Sequence, residues 1–158
     1  MSTAEMSRID RSIDIAAPPD RVFRALTSPE EVAAWFRVKV EGQFAPGADV
    51  WMTSTQAEYA GIRFSVRIKE ITPPRRVVWE WHPGAVDPAI DYSREPVTTV
   101  TFDIQPAAGG GTRVTVSETG FDRIDLSRRA KVYADNTHGW ATVIVWIKDH
   151  VEAAAAAR

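Results

Sequence analysis

Hydrophobic and polar residues alternate near the start of the chain, in IDRSIDI at residues 9–15. An alternation of period two predicts a β-strand with one buried face. That face would carry Ile9, Arg11, Ile13 and Ile15. The apolar residues then recur at helical spacing in PPDRVFRAL and SPEEVAAWF, which predict two short helices in tandem. Ser28 is a suitable capping residue for the second helix, and Pro29 suits its first position.

From the end of these helices to about residue 119, the pattern is typical of strands and turns. VKVEGQF and ADVWMTS are separated by a hairpin signal at 45–47, and GIRFSVRIKEITPP continues with period two. Ile71 is out of phase with Ile68, which predicts a bulge near Lys69 and Glu70. Arg75 to Trp81, VTTVTFDI and TRVTVSE complete six strands. The sheet should be antiparallel throughout, because no connection is long enough for a helical crossover.

The last part of the chain changes to a spacing of three and four residues. From Ser127 onward this spacing predicts one long amphipathic helix. Its apolar face would carry Val132, Asn136, Trp140, Val143, Ile144, Ile147 and Val151. Four consecutive apolar residues at 144–147 are more than one face can bury. Val145 and Trp146 are therefore expected to lie partly outside, where they would form a homodimer contact, pack under the second short helix or simply be exposed.

The order of strand, two short helices, six strands and long helix predicts an α+β fold in which a curved antiparallel sheet wraps the last helix. Four segments carry a resemblance to a known family: IDIAAPPDRVFRALTSPEEVAAWF, ITPPRRVVWEW, VTVSETGF and HGWATVIVWIKDHV. They resemble the START-like, or SRPBCC, superfamily with its helix-grip fold, and within it the family named for the heat-shock protein 90 ATPase activator. The resemblance covers about residues 8–152 and implies a single domain over 1–158.

The composition of the chain argues against several classes of function and of binding site. Apolar residues make up 44% of the chain and charged residues 25%, and the formal net charge is −2 with both signs interspersed. A nucleic-acid-binding role would call for a basic surface, so we expect none. The chain has no cysteine, which excludes disulfides and thiolate metal sites. The segment MSTAEMSRID lacks an apolar signal region, and no apolar run approaches the roughly 20 residues of a membrane span. A cytoplasmic location without membrane insertion is expected.

Trp79 and Trp81 lie two residues apart, on the strand face expected to point at the long helix. Aromatic side chains there either fill the core or form the wall of a ligand cavity. Seven other apolar residues are predicted to belong to this wall: Phe64, Val66, Val100, Phe102, Val116, Trp140 and Val143.

Glu118 is the most unusual residue in this pattern, because it falls on the apolar face that continues from Val114 and Val116. A buried carboxylate needs partners. Arg11 lies on the apolar face of the first strand, and the first and last strands are antiparallel neighbours in the helix-grip fold. Arg11 and Glu118 could therefore meet. They would either form a structural ion pair at the cavity rim, or extend separately to water, or orient a ligand, with Glu118 as the candidate acid or base.

Four further features of the sequence lead to expectations, two of which have alternative interpretations. Asn136 would bond either to a loop backbone or to a ligand, and Gly139 is expected to let the helix approach the sheet closely. His82 should face away from the tryptophans. The loop at 82–96 would be either a lid, closed by Ile90 and Tyr92, or disordered. The histidines at 82, 138 and 150 lack a metal-binding spacing, so we expect neither a metal site nor a cofactor.

These observations and the resemblance together predict a carrier, sensor or stress-related protein that binds a small hydrophobic or aromatic molecule, or a lipid, between sheet and helix. Glu118, Arg11 and Asn136 would orient that molecule. START-like proteins include polyketide cyclases and related lyases, so the resemblance also implies an enzymatic alternative in which Glu118 acts as acid or base. The family name implies a third role, as a chaperone-associated interaction module.

Overall fold

A computed structural model describes residues 6–156 and confirms the predicted order of elements. The strands are β1 (Arg8–Ile15), β2 (Val38–Glu41), β3 (Asp49–Ser54), β4 (Arg63–Thr72), β5 (Arg76–Trp81), β6 (Thr98–Pro106) and β7 (Thr112–Thr119). The helices are α1 (Pro19–Thr27), α2 (Pro29–Phe36) and α3 (Leu126–Ala156). Short 3₁₀ turns occupy Ala57–Tyr59, Ala108–Gly110 and Phe121–Arg123.

The strands form one antiparallel, curved sheet in the order β1-β7-β6-β5-β4-β3-β2. The pairing register between β4 and β5 shifts between Ile68 and Glu70, which confirms the predicted bulge. The extra residue returns Ile71 to the side of the sheet that Ile68 faces, since a bulge resets the alternation of side chains. The first and last strands pair along their whole length, so the sheet brings the two ends of the fold together.

Residues at the junction between α1 and α2 determine how these helices pack. The Ser28 hydroxyl accepts the backbone N–H of Glu31 at 3.4 Å, and Pro29 occupies the first turn of α2, as predicted. Trp35 then donates its indole N–H to the carbonyl of Ala25 at 2.7 Å. Arg37 ends α2 in the left-handed region with φ 59°. The tandem helices are thereby fixed against each other at one side of the sheet.

α3 lies over the concave side of the sheet and buries the apolar face predicted for it. Trp140, Ile144, Ile147 and Val151 belong to the same core as the inward residues of the strands. Val145 is 42% exposed, and the Arg37 guanidinium covers the half-buried ring of Trp146 at 3.8 Å. This arrangement is the expected helix-grip fold. No helix within residues 6–156 is long and apolar enough to cross a membrane.

Candidate functional site

Glu118 lies near the end of β7 and is completely buried, with 0% of its surface exposed. Its position follows from strand alternation, because Thr112, Val114 and Val116 precede it on the same inward face. Val100 of β6 lies directly opposite Glu118, and Thr98 is two residues further along that strand. Thr98 in turn lies opposite Trp81, the last residue of β5. Three adjacent strands therefore place a carboxylate, a hydroxyl and an indole together.

Four neutral side chains donate hydrogen bonds to the Glu118 carboxylate. Trp81 Nε1 donates to Oε2 at 2.8 Å, and Thr98 Oγ1 donates to the same oxygen at 2.5 Å. Trp140 Nε1 donates to Oε1 at 2.8 Å. Asn136 Nδ2 is 3.0 Å from Oε1 and 3.3 Å from Oε2. We call this group of five residues the carboxylate cluster.

The carboxylate cluster is matched to an ionised glutamate. An indole N–H can only donate, and each carboxylate oxygen accepts from one of the two indoles. The donors belong to uncharged side chains, so the charge is stabilised by oriented dipoles. Hydrogen bonds to charged groups are among the stronger ones in proteins, at about 1.5–3 kcal/mol each. The arrangement stabilises a negative charge in the interior without neutralising it.

The predicted meeting of Arg11 and Glu118 is wrong. The strands are neighbours as expected, but Arg11 pairs with Val116 while Glu118 pairs with Ile9. This offset leaves Arg11 two residues from the position opposite Glu118. The Arg11 guanidinium instead donates to the backbone carbonyl of Asp10 at 3.3 Å, in a half-buried position. Arg11 therefore takes no part in the carboxylate cluster.

Asn136 does not bond to a loop backbone, which is one of the two partners that its position predicts; the other, a ligand, stays a prediction. Its amide donates to Glu118 across the space between α3 and β7. Trp140 lies one helical turn further along α3, so both side chains project from one face of the helix onto the same carboxylate. Glu118 thereby fastens the helix to the sheet.

A cavity of about 540 Å³ lies beside the carboxylate cluster. It is enclosed by the N-terminal half of α3, the end of α2, the ends of β3 and β5, the start of β4 and the loop after β5. Phe36, Phe64 and Trp81 form its aromatic wall, with ring centroids 6.0–6.4 Å apart. Six smaller apolar residues also line the cavity: Val38, Ile62, Pro83, Ala85, Val86 and Val132.

Among the described residues, three of the predicted site residues line this cavity: Phe64, Trp81 and Asn136. Trp81 and Asn136 also donate to Glu118, so they connect the cavity with the buried charge. Glu118 itself lies behind them and is not part of the lining.

The other apolar residues predicted for the wall are buried in the core and do not line the cavity. They are Val66, Trp79, Val100, Phe102, Val116, Trp140 and Val143. Aromatic packing is the reason, because the ring centroids of Phe102 lie 5.1 Å from Trp79 and 5.8 Å from Trp140. These rings fill the space under the middle of α3. This cavity therefore lies at one end of the sheet, away from the middle of α3.

Two glycines shape the cavity. Gly139 lines it, and a Cβ built at this position would meet no atom within 4 Å. The expectation that Gly139 permits a close approach of helix and sheet is therefore wrong, because the space beside it is open. Gly84 shows the opposite situation. Its φ is +69°, and a Cβ there would lie 2.9 Å from Val132 Cγ2, so the loop packs closely on α3 at this point.

The loop after β5 contributes its first part to the cavity. His82, Pro83, Gly84, Ala85 and Val86 line the cavity, whereas Ile90 and Tyr92, the residues expected to close a lid, do not. Tyr92 instead lies beside the Arg128 guanidinium, 5.2 Å from its ring centroid. His82 was expected to face away from the tryptophans. Because β5 ends at Trp81, the alternation stops there and the chain turns His82 into the wall.

Charged residues near the mouth of the cavity are already paired. Arg128 contacts Glu95 at 3.1 Å and donates to the carbonyl of Pro83 at 3.1 Å. Lys131 contacts Asp135 at 2.7 Å. Among the described residues, His, Asp and Glu side chains form no cluster of three that could hold a metal ion.

Several residues of the site were not identified from the sequence. Thr98 continues the inward alternation of Val100 and Phe102, so its inward position was readable, although its bond to Glu118 was not. Phe36 was identified only as an apolar residue of α2. Other lining residues, such as Tyr59 and Val86, belong to segments with no periodic pattern, and nothing in the sequence pointed to them.

Two other pockets have similar volumes but different linings. One of about 440 Å³ lies between α2 and residues 55–58, and one of about 500 Å³ lies between the end of β1 and the glycines at 109–111. Alanine and glycine provide much of their apolar lining, and no aromatic residue of the described part of the chain contributes to either. The cavity beside Trp81 is therefore the better candidate for a ligand site, since such sites combine apolar and aromatic walls with a few polar groups.

Solved structures confirm the fold. The protein MLL2253 of Mesorhizobium loti has a TM-score of 0.71 and 23% identity, and the match covers 92% of this chain and 96% of that one. A protein from Arthrobacter aurescens has a TM-score of 0.75 and 16% identity, covering 96% of this chain and 89% of that one. An Aha1 dimer from Colwellia psychrerythraea has a TM-score of 0.69 and 17% identity, covering 92% and 96%.

At the level of sequence, no curated protein matches the chain. Residues 16–152 match the family described as Activator of Hsp90 ATPase homolog 1-like protein. The match spans both short helices, strands β2–β7 and nearly all of α3, and it agrees with the resemblance carried by the four segments quoted above. The chain therefore belongs to the Activator of Hsp90 ATPase homolog 1-like family, within the SRPBCC superfamily.

Proposed function

We propose that the protein binds a small, largely apolar molecule in the cavity between the sheet and the N-terminal half of α3. The observation that carries this proposal is the open volume of about 540 Å³ against Phe36, Phe64 and Trp81. That volume is within the usual range of small-molecule sites, roughly 300–1,000 Å³. Burial of apolar surface would drive binding. The carboxylate cluster would hold Trp81 and Asn136 in position before the ligand arrives.

Filling the cavity from the helix tests this function. A Gly139→Leu side chain would enter the open space beside α3, and leucine also favours a helix more than glycine does. We expect this variant to bind the probe 2-naphthol at least about tenfold more weakly than the unmodified protein, while its melting temperature is unchanged or higher. Calorimetric titration measures the first quantity and thermal unfolding the second.

Ala134→Leu is the matched control, since Ala134 is exposed on the same helix and does not line the cavity. It should bind 2-naphthol as the unmodified protein does. If Gly139→Leu binds the probe equally well, the ligand site is elsewhere and the proposal is wrong. Native mass spectrometry of freshly purified protein would show whether a small molecule is already bound.

The enzymatic alternative would require Glu118 to exchange a proton with a ligand. Both of its oxygens already accept hydrogen bonds, and Trp81 and Asn136 separate it from the cavity. Proton transfer would therefore need this network to open, so the arrangement favours binding over acid–base catalysis. A chaperone-associated role, which the family description suggests, stays a prediction for this chain.

We also propose that two copies of the chain associate through Val145 and Trp146. Val145 is a large apolar side chain with 42% of its surface exposed on α3. Trp146, beside it, is covered on one face by Arg37. The related Colwellia psychrerythraea structure is described as a dimer, which supports testing the same state here.

A further inference from the structure

We infer that the cavity selects neutral ligands that carry a hydrogen-bond donor, such as a hydroxyl or N–H group on an apolar skeleton, and discriminates against carboxylates of the same skeleton. This inference rests on the proposed function and specifies its ligand class. It follows from the way in which Glu118 fixes the orientation of Asn136.

The first step concerns the Asn136 amide. Its two ends differ chemically, since Nδ2 donates and Oδ1 accepts. Glu118 accepts from Trp81 and Trp140, whose indole nitrogens can only donate, so both carboxylate oxygens present lone pairs. An amide turned the other way would place Oδ1 against these oxygens and repel them. Glu118 therefore determines that Nδ2 points towards it, as observed.

The second step concerns the other end of the same amide. Asn136 lines the cavity, whereas Glu118 does not. With Nδ2 bound to Glu118, Oδ1 is the polar atom of Asn136 left for the cavity. Within residues 6–156, no group donates to Oδ1. The wall therefore presents an oriented acceptor in the same cavity as the aromatic rings of Phe64 and Trp81. A bound molecule satisfies this acceptor by supplying a donor.

The third step concerns charge. The Glu118 carboxylate is stabilised by neutral donors only, so it remains a negative charge behind the wall. The cations at the mouth are ion-paired, Arg128 with Glu95 and Lys131 with Asp135, and the buried Nε of Arg128 has no hydrogen-bond partner among the described residues. The lining also contains the titratable residues Tyr59 and His82, and the Nδ1 atom of His82 is buried without a partner among the described residues. A carboxylate entering the cavity would meet Oδ1 and the Glu118 charge, while Arg128 and Lys131 are already ion-paired with Glu95 and Asp135.

Four naphthalene probes test this inference on the unmodified protein by calorimetric titration at neutral pH. 2-Naphthol has a neutral donor, 2-methoxynaphthalene has only an acceptor, naphthalene has neither, and 2-naphthoate is an anion. We expect 2-naphthol to bind about three- to tenfold more tightly than naphthalene or 2-methoxynaphthalene, the effect of one neutral hydrogen bond. We expect 2-naphthoate to bind at least about tenfold more weakly than 2-naphthol.

The Asn136→Leu variant tests whether Asn136 causes the preference for 2-naphthol over naphthalene. It removes the acceptor but leaves Trp81, Thr98 and Trp140 to bind Glu118, so the ratio of 2-naphthol to naphthalene affinity should fall to about one. The four-probe comparison needs no variant and remains decisive if Asn136→Leu does not fold. Equal binding of 2-methoxynaphthalene and 2-naphthol, or of 2-naphthoate and 2-naphthol, would overturn the inference while the cavity proposal stands. If no neutral probe binds, the proposed function fails and this inference fails with it.

Discussion

At the scale of single residues, the central feature is an ionised glutamate held by uncharged donors. An isolated carboxylate would not be stable in a protein interior, because its water of hydration is lost there. The indoles of Trp81 and Trp140, the hydroxyl of Thr98 and the amide of Asn136 replace that water. Removing one donor should therefore be more costly than removing an ordinary buried hydrogen bond.

Two threonines in equivalent surroundings allow this difference to be measured. Thr98 and Thr112 are both fully buried on inward strand faces, but Thr98 donates to the Glu118 carboxylate and Thr112 donates to the neutral carbonyl of Ala17. We expect Thr98→Val to lower the free energy of unfolding by about 1.5–3 kcal/mol and Thr112→Val by about 0.5–1.5 kcal/mol. Urea denaturation of both variants gives the comparison. Equal losses would mean that the charge of Glu118 adds nothing to the bond.

At the scale of secondary-structure elements, one carboxylate joins the three helices. Glu31 of α2 contacts Arg21 of α1 at 2.8 Å and His150 of α3 at 2.9 Å, through the same oxygen. Arg24 lies 3.5 Å from its other oxygen. Burial alone would raise the pKa of Glu31, but the hydrogen bonds from His150 and Arg21, together with their charges, outweigh it and hold the pKa below its ordinary value.

This lowered pKa predicts a pH dependence of stability. A carboxyl group whose pKa is lower in the folded than in the unfolded state stabilises the fold above the unfolded value, and the effect is lost as the pH falls through the folded value. At pH 7, Glu31→Gln should therefore be less stable than the unmodified protein by about 1 kcal/mol, typical of a partly exposed ion pair. Urea denaturation between pH 7 and pH 3 should show this difference shrinking below about pH 4.5, the ordinary pKa of a glutamate.

Glu58→Gln is a suitable control for this measurement. Glu58 is exposed and has no ion pair among the described residues, so its replacement should leave the unfolding free energy nearly unchanged at each pH. If the difference between Glu31→Gln and the unmodified protein stays constant down to pH 3, ionisation of Glu31 does not stabilise the helix junction.

At the scale of the whole molecule, the surface of α3 opposite the sheet is the one through which we propose that two copies associate. A large apolar side chain exposed on a helix gains free energy when a second copy covers it. We expect Val145→Glu to shift any dimer to monomer, because a charge in the interface would lose its hydration. Sedimentation equilibrium at several protein concentrations measures the shift, and Ala134→Glu, about three turns away on the same helix, is the control. A protein that is already monomeric at all concentrations would contradict the proposed homodimer.

Local periodicity by itself determined most of the fold. The change from period two to helical spacing located the strands and helices, and the phase of Ile71 indicated the bulge. The alternation of side chains along β7 indicated that Glu118 faces inward. Each of these features depends on neighbours within a few positions along the chain. The resemblance to a known family supplied the way in which sheet and helix are arranged.

Tertiary structure decided the composition of the site. Trp81 and Trp140 lie 37 and 22 residues from Glu118 in sequence, and no local pattern states that they converge on it. In the pairing of β1 with β7, Arg11 lies two residues from the position opposite Glu118. Alternation cannot specify this offset, because a shift of two residues leaves the same side chains facing inward. The cavity is also a tertiary property. It is the volume left when Trp79, Phe102 and Trp140 pack ring against ring, so its position depends on how side chains from distant segments fit together.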